Sequence, residues 1–202
     1  MVVFDATMLM LLIRPESGCP IDSVTDKPVD HISERIAHFV EQRDKARTRI
    51  GLPTPALSEV LVRLGASAVK VVEKIKEFSV FEILPFDELS AIELAIMTKN
   101  AIDSGDKKSG SLEVWNKVKF DRQIMAIARV RQATALYTDD AGLRNLATSL
   151  DMAVFGIADL HLPPETAQGS LKLEPPEESL EEPSLDEIER ARDAEAERPD
   201  AV

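Results

Sequence analysis

Cysteine is nearly absent. Cys19 is the single one in 202 residues, which excludes an internal disulfide and a cysteine-built zinc cluster. A reducing cytosol is the simplest home for such a chain, so a cytoplasmic location is expected. Aromatics are scarce at 4%, with one Trp and one Tyr, too few for a platform on which successive bases could stack. No apolar run approaches the ~20 residues of a membrane-spanning helix, and mean hydropathy is only −0.10, so no membrane partner is expected. The opening Met1-Val2-Val3-Phe4-Asp5 lacks a basic n-region and does not read as a secretory leader. A Gly-rich phosphate loop is also missing. So is the second acid that Asp-x-Asp phosphatases carry after their first strand, because the run here is Asp5-Ala6-Thr7.

Charge is plentiful but uneven. The net charge is −12, with a pI near 4.8. From Pro163 onward there are 13 acids against 4 bases, whereas residues 1–162 hold 23 acids against 20 bases. The acidity therefore belongs mostly to the C-terminal stretch and does not argue against nucleic-acid binding by the rest. That stretch holds 6 of the 12 prolines and no aromatic, too little apolar surface to offset the entropy of ordering. A domain over residues 1–160 and an acidic, Pro-rich, largely disordered tail over 161–202 are expected, with Leu185–Ala196 rich enough in helix formers for a short charged helix.

The first 160 residues alternate strand and helix signals. Val2–Phe4 reads as a buried strand, Ala6–Ile13 as a helix, and residues 16–28 as a polar loop. His31–Arg49 is helical in pattern, with Gly51 as its stop. Pro53-Thr54-Pro55 reads as extended, followed by helices over Ala56–Leu64 and Ser67–Glu77. Ser79–Leu84 reads as a strand, and Asp87 as the N-cap of a helix to about Ile102. A loop over Ser104–Ser111 precedes a helix over Phe120–Val130, with Phe120, Ile124 and Ile127 on its stripe. A strand at Ala133–Tyr137, a helix carrying Leu143, Leu146 and Leu150, and a strand at Met152–Phe155 complete the pattern. The expected fold class is α/β, a three-layer sandwich with a central, mostly parallel sheet.

In such a sheet, ligands gather beyond the carboxyl ends of the strands. Asp5 and the pair Asp139-Asp140 fall at such ends. Asp121 heads the helix read at Phe120–Val130, and Glu59 lies off the apolar stripe of its helix, facing a cleft or water. Singly, each has an ordinary reading: Asp5, Asp121, Asp139 and Asp140 as caps or turn residues, Glu59 as an exposed helix carboxylate. Together they would repel, and a hard divalent cation is what most readily lets a folded chain tolerate the cluster.

The four fragments resemble the PIN domain family. Val2-Val3-Phe4-Asp5-Ala6-Thr7 looks like its first strand and acid, and Pro55-Ala56-Leu57-Ser58-Glu59-Val60-Leu61 like its second acidic position. Phe120-Asp121-Arg122-Gln123-Ile124-Met125-Ala126-Ile127-Ala128 is similar to the third, and Leu136-Tyr137-Thr138-Asp139-Asp140-Ala141-Gly142-Leu143 to the fourth. Order and spacing agree over roughly residues 1–157, and the pattern is similar to the VapC-like ribonuclease toxins. The resemblance implies an endoribonuclease dependent on Mg²⁺ or Mn²⁺ in which metal-activated water attacks phosphorus, leaving a 5′-phosphate and a 3′-hydroxyl. It implies Asp5, Glu59 and Asp121 as ligands, directly or through water, and a fourth from Asp140 or Asp139. Asp140 fits the Thr-x-Asp position better. Thr138 or Thr7 would orient a carboxylate or the water. Lys117, Lys119 and Arg122 are candidates for RNA-backbone contact. RNA, a protein antitoxin and a second copy of the chain as a homodimer are the implied partners. A PIN-like binding module without cleavage is the alternative. The basic stretch Arg43–Arg49 reads either as a solvated helix face or as an RNA contact, and Glu93 is an acid outside the pattern.

Overall fold

The computed structural model describes residues 1–22, 24–106, 108 and 114–164. Everything expected of the tail from residue 165 on, Leu185–Ala196 included, lies outside the described residues, as does part of the loop at Ser104–Ser111. In chain order the elements are β1 (Val2–Phe4), α1 (Ala6–Ile13), β2 (Ile21–Asp22), β3 (Lys27–Pro28), α2 (Ile32–Lys45), β4 (Ile50–Pro53), α3 (Thr54–Leu64), α4 (Ala68–Glu77), β5 (Phe81–Leu84), α5 (Glu88–Asp103), α6 (Trp115–Val130), β6 (Ala135–Tyr137), α7 (Ala141–Ser149) and β7 (Ala153–Phe155).

The apolar tripeptide Val-Val-Phe of β1 is buried throughout, as a central parallel strand should be. It stands in the middle of a five-stranded sheet of order β5-β4-β1-β6-β7, in which every pairing is parallel. The α/β expectation holds, with helices flanking the sheet. The β2–β3 pair is a separate two-residue antiparallel hairpin within what reads in sequence as a loop.

The chain runs from β1 outward to β4 and β5, then returns to β6 and β7 on the other side of β1. The crevice beyond the carboxyl ends of β1 and β6 is therefore the topological switch point, where open parallel sheets place their ligands. Phe4 pairs with Tyr137, so the residues that follow, Asp5 and Thr138, emerge side by side at that crevice.

One strand of the five-stranded sheet also escaped the sequence reading. Ile50–Pro53 is β4, not a helix end followed by an extended turn. The preceding helix stops at Lys45, so Gly51 is not its terminator. Gly51 is a strand residue at a close approach: a Cβ there would lie 2.5 Å from Leu84 Cδ1 on the neighbouring strand. The following helix starts at Thr54, two residues earlier than expected, with Pro55 in its first turn where the missing N–H costs nothing.

Four of the scarce aromatics pack together. Phe4, Tyr137 and Phe155 stand level across β1, β6 and β7, their neighbouring ring centroids 5.7 and 5.3 Å apart. Phe39 of α2 lies 5.8 Å from Phe4 and 4.8 Å from Tyr137. Arg43 covers the Phe39 ring at 4.7 Å and its Nη2 donates to Tyr137 Oη at 3.4 Å. Of the basic stretch 43–49, Arg43 is thus committed to holding α2 on the sheet. Through the run Met125–Ala128, α6 is wholly buried; its two alanines let the helix backbone come close to its neighbours. Glu93, unplaced in sequence, ties α5 to α6 through Arg129 at 2.5 Å.

Candidate active site

Asp5 is the N-cap of α1, and its Oδ1 accepts from the Met8 N–H at 2.8 Å. Thr7 Oγ1 donates to the same carboxylate, at 2.8 and 2.9 Å from its two oxygens. From the neighbouring strand end, Thr138 Oγ1 donates to Asp5 Oδ2 at 2.5 Å. All these donors are neutral. The side chain is only 2% exposed. Burial disfavours its charge more than those hydrogen bonds and the turn amide favour it, and the nearby Asp140 adds repulsion, so its pKa is raised from 3.8 to about 6.

Asp140 caps α7, its Oδ1 accepting from the Leu143 N–H at 2.9 Å. Its own N–H donates to Thr138 Oγ1 at 3.0 Å. One threonine hydroxyl therefore links the two acids, accepting from the backbone of one and donating to the carboxylate of the other. The second oxygen of Asp140 lies 2.7 Å from Lys117 Nζ. Burial alone would raise the Asp140 pKa, but the lysine and the amides of the α7 turn outweigh it and hold the carboxyl below its usual range.

Asp139 turns elsewhere. Its Oδ1 accepts from the Ile157 N–H at 3.2 Å, against a glycine whose Cβ, if present, would sit 2.4 Å from that oxygen. Its Oδ2 is buried without a hydrogen-bond partner. Burial, opposed by the Ile157 amide and Arg144, raises its pKa. Of the adjacent pair, Asp140 is the one beside Asp5, as the Thr-x-Asp spacing favours.

Asp121 does not head a helix: α6 begins at Trp115, so Asp121 lies in its second turn. It stands four residues after Lys117 and on the same face, the face that sends Lys117 to Asp140. Glu59 is on an exposed face of α3, as expected, but its carboxylate is held by Arg63 one turn on, at 2.7 Å. Among the described residues, no three acid, His or Cys side chains stand close enough to share a metal ion. The structure thus brings together Asp5, Thr7, Thr138 and Asp140, and leaves Glu59 and Asp139 outside that group.

One of the expected RNA contacts changes place. Arg122 is 1% exposed, with its guanidinium carbon 5.6 Å from the Trp115 ring centre, so it is a packing residue and not an RNA contact. Lys119 is exposed, its ammonium 5.6 Å from the same ring. Phe120, expected on the buried stripe, is 48% exposed, whereas Val118 of the same helix is buried.

The donor set suits a hard divalent cation in part. Mg²⁺ takes oxygen ligands and is commonly held by one or two carboxylates with water completing its shell. Asp5 is a buried carboxylate with only neutral donors, which a cation beside it would relieve, and Asp140 is its neighbour through Thr138. Glu59 would have to leave Arg63 to join them.

No family model and no curated protein matches the sequence. Among solved structures, the fold is similar to a chain of VapBC2 from Rickettsia felis, bound to a DNA fragment from the promoter, with a TM-score of 0.50 at 14% identity over 77% of this chain and 98% of that one. A chain of DNA-bound VapBC from Salmonella typhimurium gives 0.48 at 18% identity, over 78% and 99%. The first likeness is one of fold alone. Among the described residues, no helix is long and apolar enough to cross a membrane.

Proposed function

We propose that this chain is a metal-dependent endoribonuclease that cuts RNA at the switch-point crevice beside β1. The observation that carries the reading is the junction of Asp5 and Asp140 through Thr138, one buried carboxylate surrounded by neutral donors and a second close by. Asp5 and Asp140 would hold Mg²⁺ or Mn²⁺, with water completing its shell; Asp121, on the same face of α6 as Lys117, would act only through such a water. Bound there, such an ion generates hydroxide from water and neutralises charge on a phosphoryl group. Thr7 and Thr138 fix the orientation of Asp5 by donating to both of its oxygens. Lys119, exposed at the start of α6, positions RNA through a phosphate without choosing its sequence.

The test is cleavage of a labelled single-stranded RNA. Addition of Mn²⁺ should produce fragments ending in 5′-phosphate, and EDTA should stop the reaction. Absence of cleavage together with absence of Mn²⁺ binding would favour the other reading, a PIN-like binding module; the Glu59–Arg63 pair, which keeps one acid away from the others, is what speaks for it.

The Rickettsia structure is of a VapBC complex, and on that likeness we propose a protein antitoxin as partner and a cytoplasmic role. Self-association would use α5. Leu89, Ile92 and Ile96 form a stripe on that helix, 62, 52 and 50% exposed, a larger run of apolar surface than a solitary helix face normally shows to water. The one charge between Glu88 and Lys99 is Glu93, already engaged by Arg129. In an antiparallel self-pair centred on this stripe, Leu89 of one copy comes level with Ile96 of the other. Light scattering should give a dimer mass for the native chain and a monomer mass for Ile92→Glu. A native monomer, or a dimeric variant, removes this surface from consideration.

A further inference from the structure

Lys117 differs from Lys45 and Lys99 in where its ion pair leads. Several of the ion pairs join residues one turn apart on an exposed helix, such as Glu41–Lys45, Glu59–Arg63 and Lys99–Asp103. Lys117 instead reaches from α6 to the N-terminus of α7, and both side chains of the pair are largely withdrawn from water, at 35 and 23% exposed. Partial burial strengthens such a pair, because water screens it less. The contact also closes a chain of polar groups: Asp5, Thr138, Asp140, Lys117. Among the described residues, the positive charge in contact with this chain of groups is Lys117, at the Asp140 end. Asp5, at the other end, has only hydroxyls and an amide.

We propose that Lys117 is the resident counter-ion of this site: it holds Asp140 while no divalent cation is bound, must release it when one binds, and is then placed to meet a phosphate of the RNA. The inference rests on the metal-dependent reading given above and adds to it a competition between two cations for one carboxylate.

The chemistry of lysine suits the role. Its ammonium is a compact point charge on a flexible stem, readily exchanged for another cation, whereas an arginine would clamp the carboxylate with two parallel bonds. A divalent ion brings twice the charge and displaces a single ammonium from a shared carboxylate. The released side chain remains on the face of α6 that carries Asp121, one turn away. It therefore stays at the crevice, where an anionic substrate supplies the negative charge it has lost.

The competition sets the sign of the result. Removing a residue that merely supports the site should weaken metal binding. Removing a competitor should strengthen it. Titration calorimetry of the full chain with Mn²⁺ alone should show Lys117→Met binding the ion more tightly than the native protein, by about fivefold or more, the loss of one partly buried ion pair. Lys117→Arg, which holds Asp140 more firmly, should bind Mn²⁺ more weakly than the native chain. With RNA, Lys117→Met should raise KM while its metal affinity rises.

Equal or weaker Mn²⁺ binding by Lys117→Met overturns the proposal and leaves the metal-dependent reading standing. Failure of both native and Lys117→Met proteins to bind Mn²⁺ overturns the two together. Binding by Lys117→Met alone supports the proposal in its strongest form, with the lysine keeping the ion out. Should Lys117→Met not fold, the arginine variant decides, since unchanged or tighter Mn²⁺ affinity there contradicts the competition.

Discussion

Asp5→Asn is expected to abolish RNA cleavage and at the same time to make the protein more stable at neutral pH. Asp5 is buried, and its pKa in the folded state is about 6 against 3.8 for the ordinary group. Below pH 3.8 the carboxyl is protonated whether the chain is folded or not, and its burial costs nothing extra. As pH rises towards 6, the unfolded chain ionises while the folded chain keeps its proton, and stability falls. Above about pH 6 the full difference applies, roughly 3 kcal/mol. Asparagine removes the charge and keeps an oxygen for the Met8 N–H. Its amide must turn NH₂ towards the Thr7 and Thr138 hydroxyls, which rotate to accept. Part of the gain is lost there, leaving ~1–2 kcal/mol, or a rise in Tm of roughly 3–6 °C for a chain of this size.

The advantage of Asp5→Asn should be present at pH 7.5 and vanish by pH 4, and paired thermal melts at those pH values measure it. RNA cleavage by the same variant should fall by at least ~1000-fold, because a ligand to the ion and an anchor of both threonines are changed together. Mn²⁺ should raise the Tm of the native protein at pH 7.5 but not that of the variant. A variant less stable than the native chain at pH 7.5 would mean that the Asp5 charge is already compensated, and the case for a cation there would lose its support.

The same balance explains what could be read in the sequence. The strand before Asp5 was legible because β1 is buried on both faces and writes itself as three consecutive apolar residues. The caps at Asp87 and Asp140 were legible because a short oxygen side chain ahead of an apolar helix satisfies orphan amides. Strand β4 was not, since its Gly51 and Pro53 look like helix-breaking punctuation, and only the close approach of Leu84 shows why glycine is required. Asp121 marked a helix by composition, but the helix starts at Trp115, where no side chain caps it. The partners of Glu59 and Asp140 differ in the same way. The i,i+4 spacing of Glu59 and Arg63 is visible in any listing of residues. That Lys117 meets Asp140 depends on how α6 is laid against the end of β6, a tertiary fact without a local signature. Arg122 looked like a surface cation, and its burial against Trp115 is equally tertiary.

Thr138→Val tests whether the junction between the acids matters as a junction. Valine keeps the β-branched shape that suits the end of β6, so packing is nearly unchanged and the hydroxyl alone is lost. Two hydrogen bonds go with it: the donation to Asp5 Oδ2 and the acceptance from the Asp140 N–H. Thr138 is fully buried, so water cannot replace either, and the cost is expected at about 2–3 kcal/mol. Asp5 loses a donor to its charged form, and its pKa should move further up, carrying the acid limb of the pH–rate profile to higher pH. Cleavage at neutral pH should drop by ~100-fold, with KM for RNA little altered, because the hydroxyl positions a ligand and does not touch the substrate. Thr138→Ser restores the hydroxyl without the methyl and should recover most of the rate and the native pH profile while remaining somewhat less stable. If serine fails to restore the profile, or valine leaves it unmoved, the hydroxyl is only a structural link between two strand ends, and the two acids do not act as one site.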